Sequence, residues 1–247
     1  MATTLEDLTH AGHLDTLLAR VPTLPDPDAK ALLGALIPAV QARCAQDGLF
    51  WLRWVRTRDE ADPEQSIKPF PLHLDYIRSL WSLLVEHQCV VVAKSRQMLV
   101  SWCVVAFCVW WARYKAHQAI YWQTQQWRDA TGMTCMAEGG VTGRAQFIER
   151  SLPAWMRLPV KEQEGTLTYP NGSMIQALAG GADQVRGKVA SIIVEDEFAK
   201  QEEATGVYVT VAPLIQKGAK LIVVSTPNGT MNQFATLYHG RPVGLGG

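Results

Sequence analysis

The stretch "VVVAKSRQMLVSW", residues 90–102, decides how this chain is read. Four apolar residues, Val90 to Ala93, run into a lysine, a serine, an arginine and a glutamine. After Ser101 a second long apolar run begins. The pattern predicts strand, turn and helix, with the polar side chains gathered at the turn. Such a turn can cradle a phosphate on backbone N–H groups and a helix N-terminus. The standard phosphate loop is Gly-x4-Gly-Lys-[Ser/Thr], whose lysine supplies charge and whose hydroxyl binds Mg²⁺. Ser101 holds the hydroxyl position, but Leu99 and Val100 replace Gly-Lys. If position 99 needs a positive φ, a leucine there costs roughly 1–2 kcal/mol. The missing charge is the larger loss, and the long stem of Lys94 allows it to fold over the loop as a replacement. The alternative is that Lys94 and Arg96 merely exit to solvent.

Outward from this stretch, "QAIYWQT" (118–124), "SIIVEDE" (191–197) and "AKLIVVSTPNG" (219–229) also read as strands. "GTLTYPNGSMIQAL" (165–178) alternates on both sides of Pro170-Asn171-Gly172, a hairpin pattern. Helical periodicity covers 3–20, 29–45, "LHLDYIRSLWSLLVE" (72–86), 101–115 and "QQWRDATGMTCMAE" (125–138), with Asp26-Pro27-Asp28 as a helix start. "TRDEADPEQSIKPFP" (57–71) is polar and contains prolines, so a linker or long loop is expected. Strands separated by helices imply an α/β fold with a mainly parallel sheet. In such sheets the ligand site lies at the carboxyl ends of the strands. Lys94, Asp196, Glu197, Ser225 and Thr226 all fall there.

The acids at 195–197 follow a hydrophobic strand. A carboxylate is costly to bury unless paired or bound to a cation. An acid in that place commonly holds Mg²⁺, and its neighbour can then orient or deprotonate a water. A solvated strand exit is the plainer alternative.

Composition sets the bounds. The 247 residues are 48% hydrophobic and 19% charged, with 23 basic and 23 acidic side chains, so the whole-chain charge offers no argument for nucleic acid and leaves a local basic patch open. Five cysteines with no Cys-x-x-Cys spacing read as core thiols of a reducing compartment. The longest apolar stretch, 99–112, is too short to span a bilayer, so a soluble cytosolic protein is expected. The nine tryptophans are expected to be mostly core rather than base-stacking platforms.

Taken together, the motifs resemble those of large terminase subunits, the ATPases that package DNA into viral capsids. That family typically shows Ser-Arg-Gln-x-Gly-Lys-[Ser/Thr], which Ser95, Arg96, Gln97 and Ser101 match, and some members carry the loop lysine at its start, where Lys94 stands. "VRGKVASIIVEDEFA" looks like its Arg-Gly segment followed by the Walker B strand and catalytic glutamate. "VVSTPNGTMNQFATLYHG" is similar to its coupling motif, and "KPFPLHLDYIRSLW" to the segment near the nucleotide base, with Tyr76 or Asp75 where the family often has glutamine. The likeness runs over about residues 66–240.

The resemblance implies an ASCE-type P-loop NTPase core over 61–247 behind a helical region over 1–60. ATP and Mg²⁺ are the implied cofactors. Lys94, Ser95, Gln97, Ser101, Ser225 and Thr226 would contact nucleotide; Ser101 and Asp196 would hold the metal; Glu197, Arg96 and, from a neighbouring subunit, Arg186 would serve catalysis. Glu195 is a weaker candidate for either acid role. Implied partners are double-stranded viral DNA, portal protein, small terminase subunit and further copies in a pentameric ring, in the host cytoplasm and without a membrane. The family's nuclease domain would follow the coupling motif and is expected to be absent from a chain ending "GRPVGLGG". A helicase-like translocase and a degenerate nucleotide-binding scaffold are the alternatives.

Overall fold

A computed structural model describes residues 11–20, 26–59, 62, 64–96, 98–136 and 142–240. Helices α1 (Ala11–Arg20), α2 (Asp26–Gln46) and α3 (Gly48–Trp51) come first. Asp47 starts α3 by accepting from Phe50 N at 2.9 Å, which satisfies one otherwise orphaned helix donor. Strands β1 (Arg56–Arg58) and β2 (Ile67–Pro69) then pair antiparallel. The linker expected over 57–71 is therefore corrected to a two-stranded hairpin. Its strands are three residues each, too short and polar to show alternation.

The central sheet begins after helix α4 (Asp75–Glu86). Strand β3 (Cys89–Ala93) leads through residues 94–99 into α5 (Val100–Tyr114), and β4 (Ala119–Gln123) into α6 (Trp127–Met133), shorter than its pattern predicted. Next come α7 (Arg144–Ser151), the meander β5 (Lys161–Gln163), β6 (Thr166–Thr168) and β7 (Met174–Leu178), and β8 (Ile192–Asp196). Helix α8 (Ala204–Gln216), β9 (Lys220–Ser225) and α9 (Gln233–Tyr238) follow. The spatial order is β3-β9-β8-β4-β7-β6-β5. From β3 to β7 the pairs are parallel; β6 and β5 are added antiparallel. This is the α/β, mainly parallel sheet that the sequence implies, and the hairpin expected at Pro170-Asn171-Gly172 joins β6 to β7. Gly172 takes φ +80 there, where a side chain would also meet His117.

Two apolar layers cover the sheet. Ile192, Val194, Ile222 and Val224 face one with α5; Ile193, Leu221 and Val223 face the other with Val207 and Val211 of α8. The split follows the period of two along each strand. Helix α5 is buried nearly all round, as its apolar sequence requires. Trp81, Phe107 and Trp110 meet edge-on or tilted in its layer, which Leu36, Val40 and Cys44 of α2 also join. Eight tryptophans lie in or against this core, and Trp127 is 42% exposed. Cys44, Cys103, Cys108 and Cys135 are buried, free thiols, but Cys89, at the start of the edge strand β3, is exposed and not the core thiol expected. No described helix is long and apolar enough to cross a membrane.

Candidate functional site

Strand order assembles the site. Strand β9 lies between β3 and β8, so the ends of all three adjoin. Ala93 pairs with Ser225 and Asp196 with Val224, which puts the three exits at one level. Alternation then sorts the side chains. Positions 192 and 194 face α5, and Asp196 follows them. Val90 and Val92 face the same layer, and Lys94 continues that series. Ser101 sits in the first turn of α5, on the same side.

The four functional groups meet there. Lys94 Nζ donates to Ser101 Oγ at 2.9 Å and to Asp196 Oδ1 at 3.3 Å, and lies 3.3 Å from Glu197 Oε1. Ser101 Oγ is 3.4 Å from Asp196 Oδ2. Thr226 Oγ1 donates to Glu197 Oε2 at 3.0 Å, and Lys200 Nζ lies 2.8 Å from the same oxygen. Two non-glycine residues here are left-handed, Leu99 at φ 54 and Glu197 at φ 51. Position 99 thus does need a positive φ, and leucine bears the strain. Such strain concentrates at functional sites, because the surrounding packing must hold it in place.

Burial pushes the Asp196 carboxyl above its usual range, with Lys94 opposing the shift. Burial also acts on Glu197, but Lys200, Lys94 and Thr226 together outweigh it and hold that carboxyl below its usual range. Glu195 has the opposite parity. It points into the α8 layer, is fully enclosed, and burial pushes it up to about 8 against a hydrogen bond from Gln201 at 3.2 Å. Its neighbours Asp196 and Glu197, not Glu195, belong to the cluster at Lys94.

The cluster opens into a cleft of about 570 Å³, lined by Lys94, Ser95, Arg96, Ser101, Glu197 and Thr226 among others. Ser95 Oγ contacts Met98 Sδ at 2.9 Å, and both Ser95 and Arg96 are exposed. Gln97 lies outside the described residues. Ser225 is not brought to the cleft: it is fully buried and its Oγ accepts from Ala199 N at 3.0 Å, bracing the turn after β8. Arg186 is separate too, 72% exposed and 3.0 Å from Asp183 Oδ1, just before Gly187 at φ +76. Tyr76 reaches the loop from α4, its hydroxyl donating to Met98 O at 3.2 Å. The lining residues Arg58, Lys68 and Arg144 were not legible in the sequence. Only the hairpin and the start of α7 carry those side chains there.

The donor set fits Mg²⁺. Ser101 Oγ and the Asp196 carboxylate are hard oxygens, adjacent and enclosed, and Mg²⁺ is usually held by one or two such groups plus phosphates and waters. Among the described residues no group of three or more His, Cys, Asp or Glu forms a closed metal cage.

Two solved structures share this architecture. The HK97 bacteriophage large terminase superposes with a TM-score of 0.56 at 11% identity over 80% of this chain and 42% of that one. The large terminase of the thermophilic bacteriophage D6E, in complex with ADP, gives 0.53 at 13% identity over 68% and 42%. The chain therefore shares the fold of part of these large terminases and spans less than half the length of either. No family model matches the chain.

Proposed function

We propose that this chain is the ATPase motor domain of a phage-type large terminase, hydrolysing ATP to move viral double-stranded DNA into a procapsid. The observation that carries the reading is Lys94, whose ammonium converges on Ser101, Asp196 and Glu197. The charge missing at position 100 is thereby restored from the other end of the loop. The likeness to a terminase solved with ADP supports the same ligand class.

In this reading Lys94 holds the terminal phosphates, with Ser95 and Gln97 in the same loop. Ser101 and Asp196 hold Mg²⁺, which supplies charge neutralisation on the phosphates. Glu197, kept ionised by Lys94, Lys200 and Thr226, orients or deprotonates the attacking water. Arg96 neutralises developing charge from within the loop. Thr226 reports the nucleotide state through its bond to Glu197, and Ser225 transmits it through Ala199. Arg186, exposed and away from the cleft, serves the site of a neighbouring copy in a pentameric ring. Portal protein, the small terminase subunit and DNA are the remaining partners, in the host cytoplasm.

A second reading is a nucleotide-binding scaffold without hydrolysis, which the strained Leu99 and the absent Gly-Lys favour. Mg²⁺-dependent ATP turnover decides between them. The motor reading expects turnover in the parent, and expects Glu197→Gln to keep nucleotide binding while losing hydrolysis. Binding without turnover, in rings as well as monomers, selects the scaffold. Equal loss of binding and turnover in Glu197→Gln would make Glu197 a structural or metal-holding residue.

A further inference from the structure

The cleft is cationic in a chain with no net charge. Five basic side chains line it (Arg58, Lys68, Lys94, Arg96 and Arg144) against two carboxylates, Asp59 and Glu197. Lys68 is engaged by Asp59 at 2.8 Å and Asp62 at 3.0 Å, and Lys94 by the acids of β8. Arg58 and Arg144 also pack on aromatic rings. Trp102 of α5 and Phe147 of α7 pack edge to face, 5.7 Å between centroids. The Arg144 guanidinium sits 5.1 Å from the Trp102 ring, and Arg58 sits 4.6 Å from the Phe147 ring. Arg58 also donates to Thr142 Oγ1 at 3.2 Å, next to the start of α7. One aromatic pair therefore docks two guanidinium groups on the wall of the cleft that contains Ser101.

We propose that Arg58 and Arg144 form a second anion-binding wall that grips the phosphate chain of the nucleotide in the same subunit as Lys94. This rests on the ATPase reading and adds residues to it. A guanidinium stacked on a ring loses little further freedom on binding, and its planar fork matches phosphate oxygens. The anchoring also gives Trp102 a use beyond packing, since it fixes the arginine beside the loop residues Leu99 to Ser101. A DNA backbone is the rival anion. The shared cleft with Lys94 and Ser101 favours the nucleotide.

The test measures ATP affinity, and displacement of ATP by pyrophosphate, for the parent, Arg58→Gln, Arg144→Gln, Arg144→Lys and the double glutamine variant. Glutamine keeps part of the side chain's packing, and melting temperature checks the fold. Each single loss should weaken ATP on the order of ten-fold, as for a charge-assisted hydrogen bond. Pyrophosphate should weaken by the same factor, and Arg144→Lys should recover only part of it. Weaker ATP with unchanged pyrophosphate would assign the arginines to the nucleoside and overturn the inference. Parent-like ATP and pyrophosphate binding in the double variant, with or without loss of DNA-stimulated turnover, would overturn it too. If the parent binds neither ligand, the ATPase reading falls, and this inference with it.

Discussion

Lys94 Nζ lies 2.9 Å from Ser101 Oγ, seven residues along the chain. The lysine stands at the end of a strand, not in the first turn of α5. The contact fits a loop whose ammonium comes from its beginning. Lys94→Ala should therefore weaken ATP binding on the order of a hundred-fold, and more than Arg96→Ala does, because Arg96 is exposed and Lys94 is enclosed by the acids. Titration with a fluorescent ATP analogue reads both. Parent-like binding by Lys94→Ala would transfer the role to Arg96.

Leu99 caps α5 in the left-handed region and is half-buried against the core. Glycine there relieves roughly 1–2 kcal/mol of strain but loses packing and adds unfolded-state entropy of about 1 kcal/mol. The terms nearly cancel, so Leu99→Gly should lie within about 1 kcal/mol of the parent. Leu99→Val places a β-branched residue at the same φ and should be clearly less stable. Urea unfolding midpoints compare the two. A parent-like Leu99→Val would mean that the strain is not real.

Glu195 binds its proton more tightly when folded, up to about pH 8 against an ordinary 4.5. The sign follows from linkage. Its contribution is fully present below pH 4.5, and falls as pH rises towards 8, because the unfolded chain releases the proton first. Glu195→Gln removes that loss. The melting temperature of the variant relative to the parent should rise steadily from pH 5 to pH 8.5, by an amount equivalent to a few kcal/mol. A pH-independent difference would show that Glu195 is not neutral in the folded protein.

Arg186 is 72% exposed, pairs with Asp183, and does not line the cleft of its own subunit. If the chain is the proposed ring ATPase, Arg186→Ala should leave monomer turnover unchanged and reduce that of assembled rings by about 10³-fold or more. Mixing Arg186→Ala with Glu197→Gln subunits should recover activity at some interfaces. A mixture as inactive as either variant, in rings shown to be mixed, would argue against a role between subunits.

Much of this protein was legible in its residues because the relevant forces are local. The apolar run 90–93 became β3 (Cys89–Ala93), and the expected helix of 101–115 became α5 (Val100–Tyr114). Alternation around Pro170-Asn171-Gly172 marked the hairpin, and the strand-end positions of Lys94, Asp196 and Glu197 followed from the same patterns. Helix α8 shows where local information ran out. Six of its 13 residues are β-branched, and Pro213 lies inside it, yet Val207 and Val211 are buried against the sheet. Burial outweighed propensity there. The hairpin of β1 and β2 was hidden for a related reason, since pairing between short polar strands comes from partners and not from pattern.

The chemistry divides the same way. Strand parity relative to α5 turned Asp196 towards Lys94 and Glu195 away, a register that exists only once β8 lies between β9 and β4, and the left-handed turn at Glu197 brought the third acid back to Lys94. That placement sent Glu195 into the opposite layer, withdrew Ser225 from the cleft, and left Arg186 at the surface. The arginine wall could not be read from the residues at all. Arg58 and Arg144 line one cleft because the rings they pack on, Phe147 and Trp102, pack together, and contacts between distant segments are decided by how helices and hairpin close on one core.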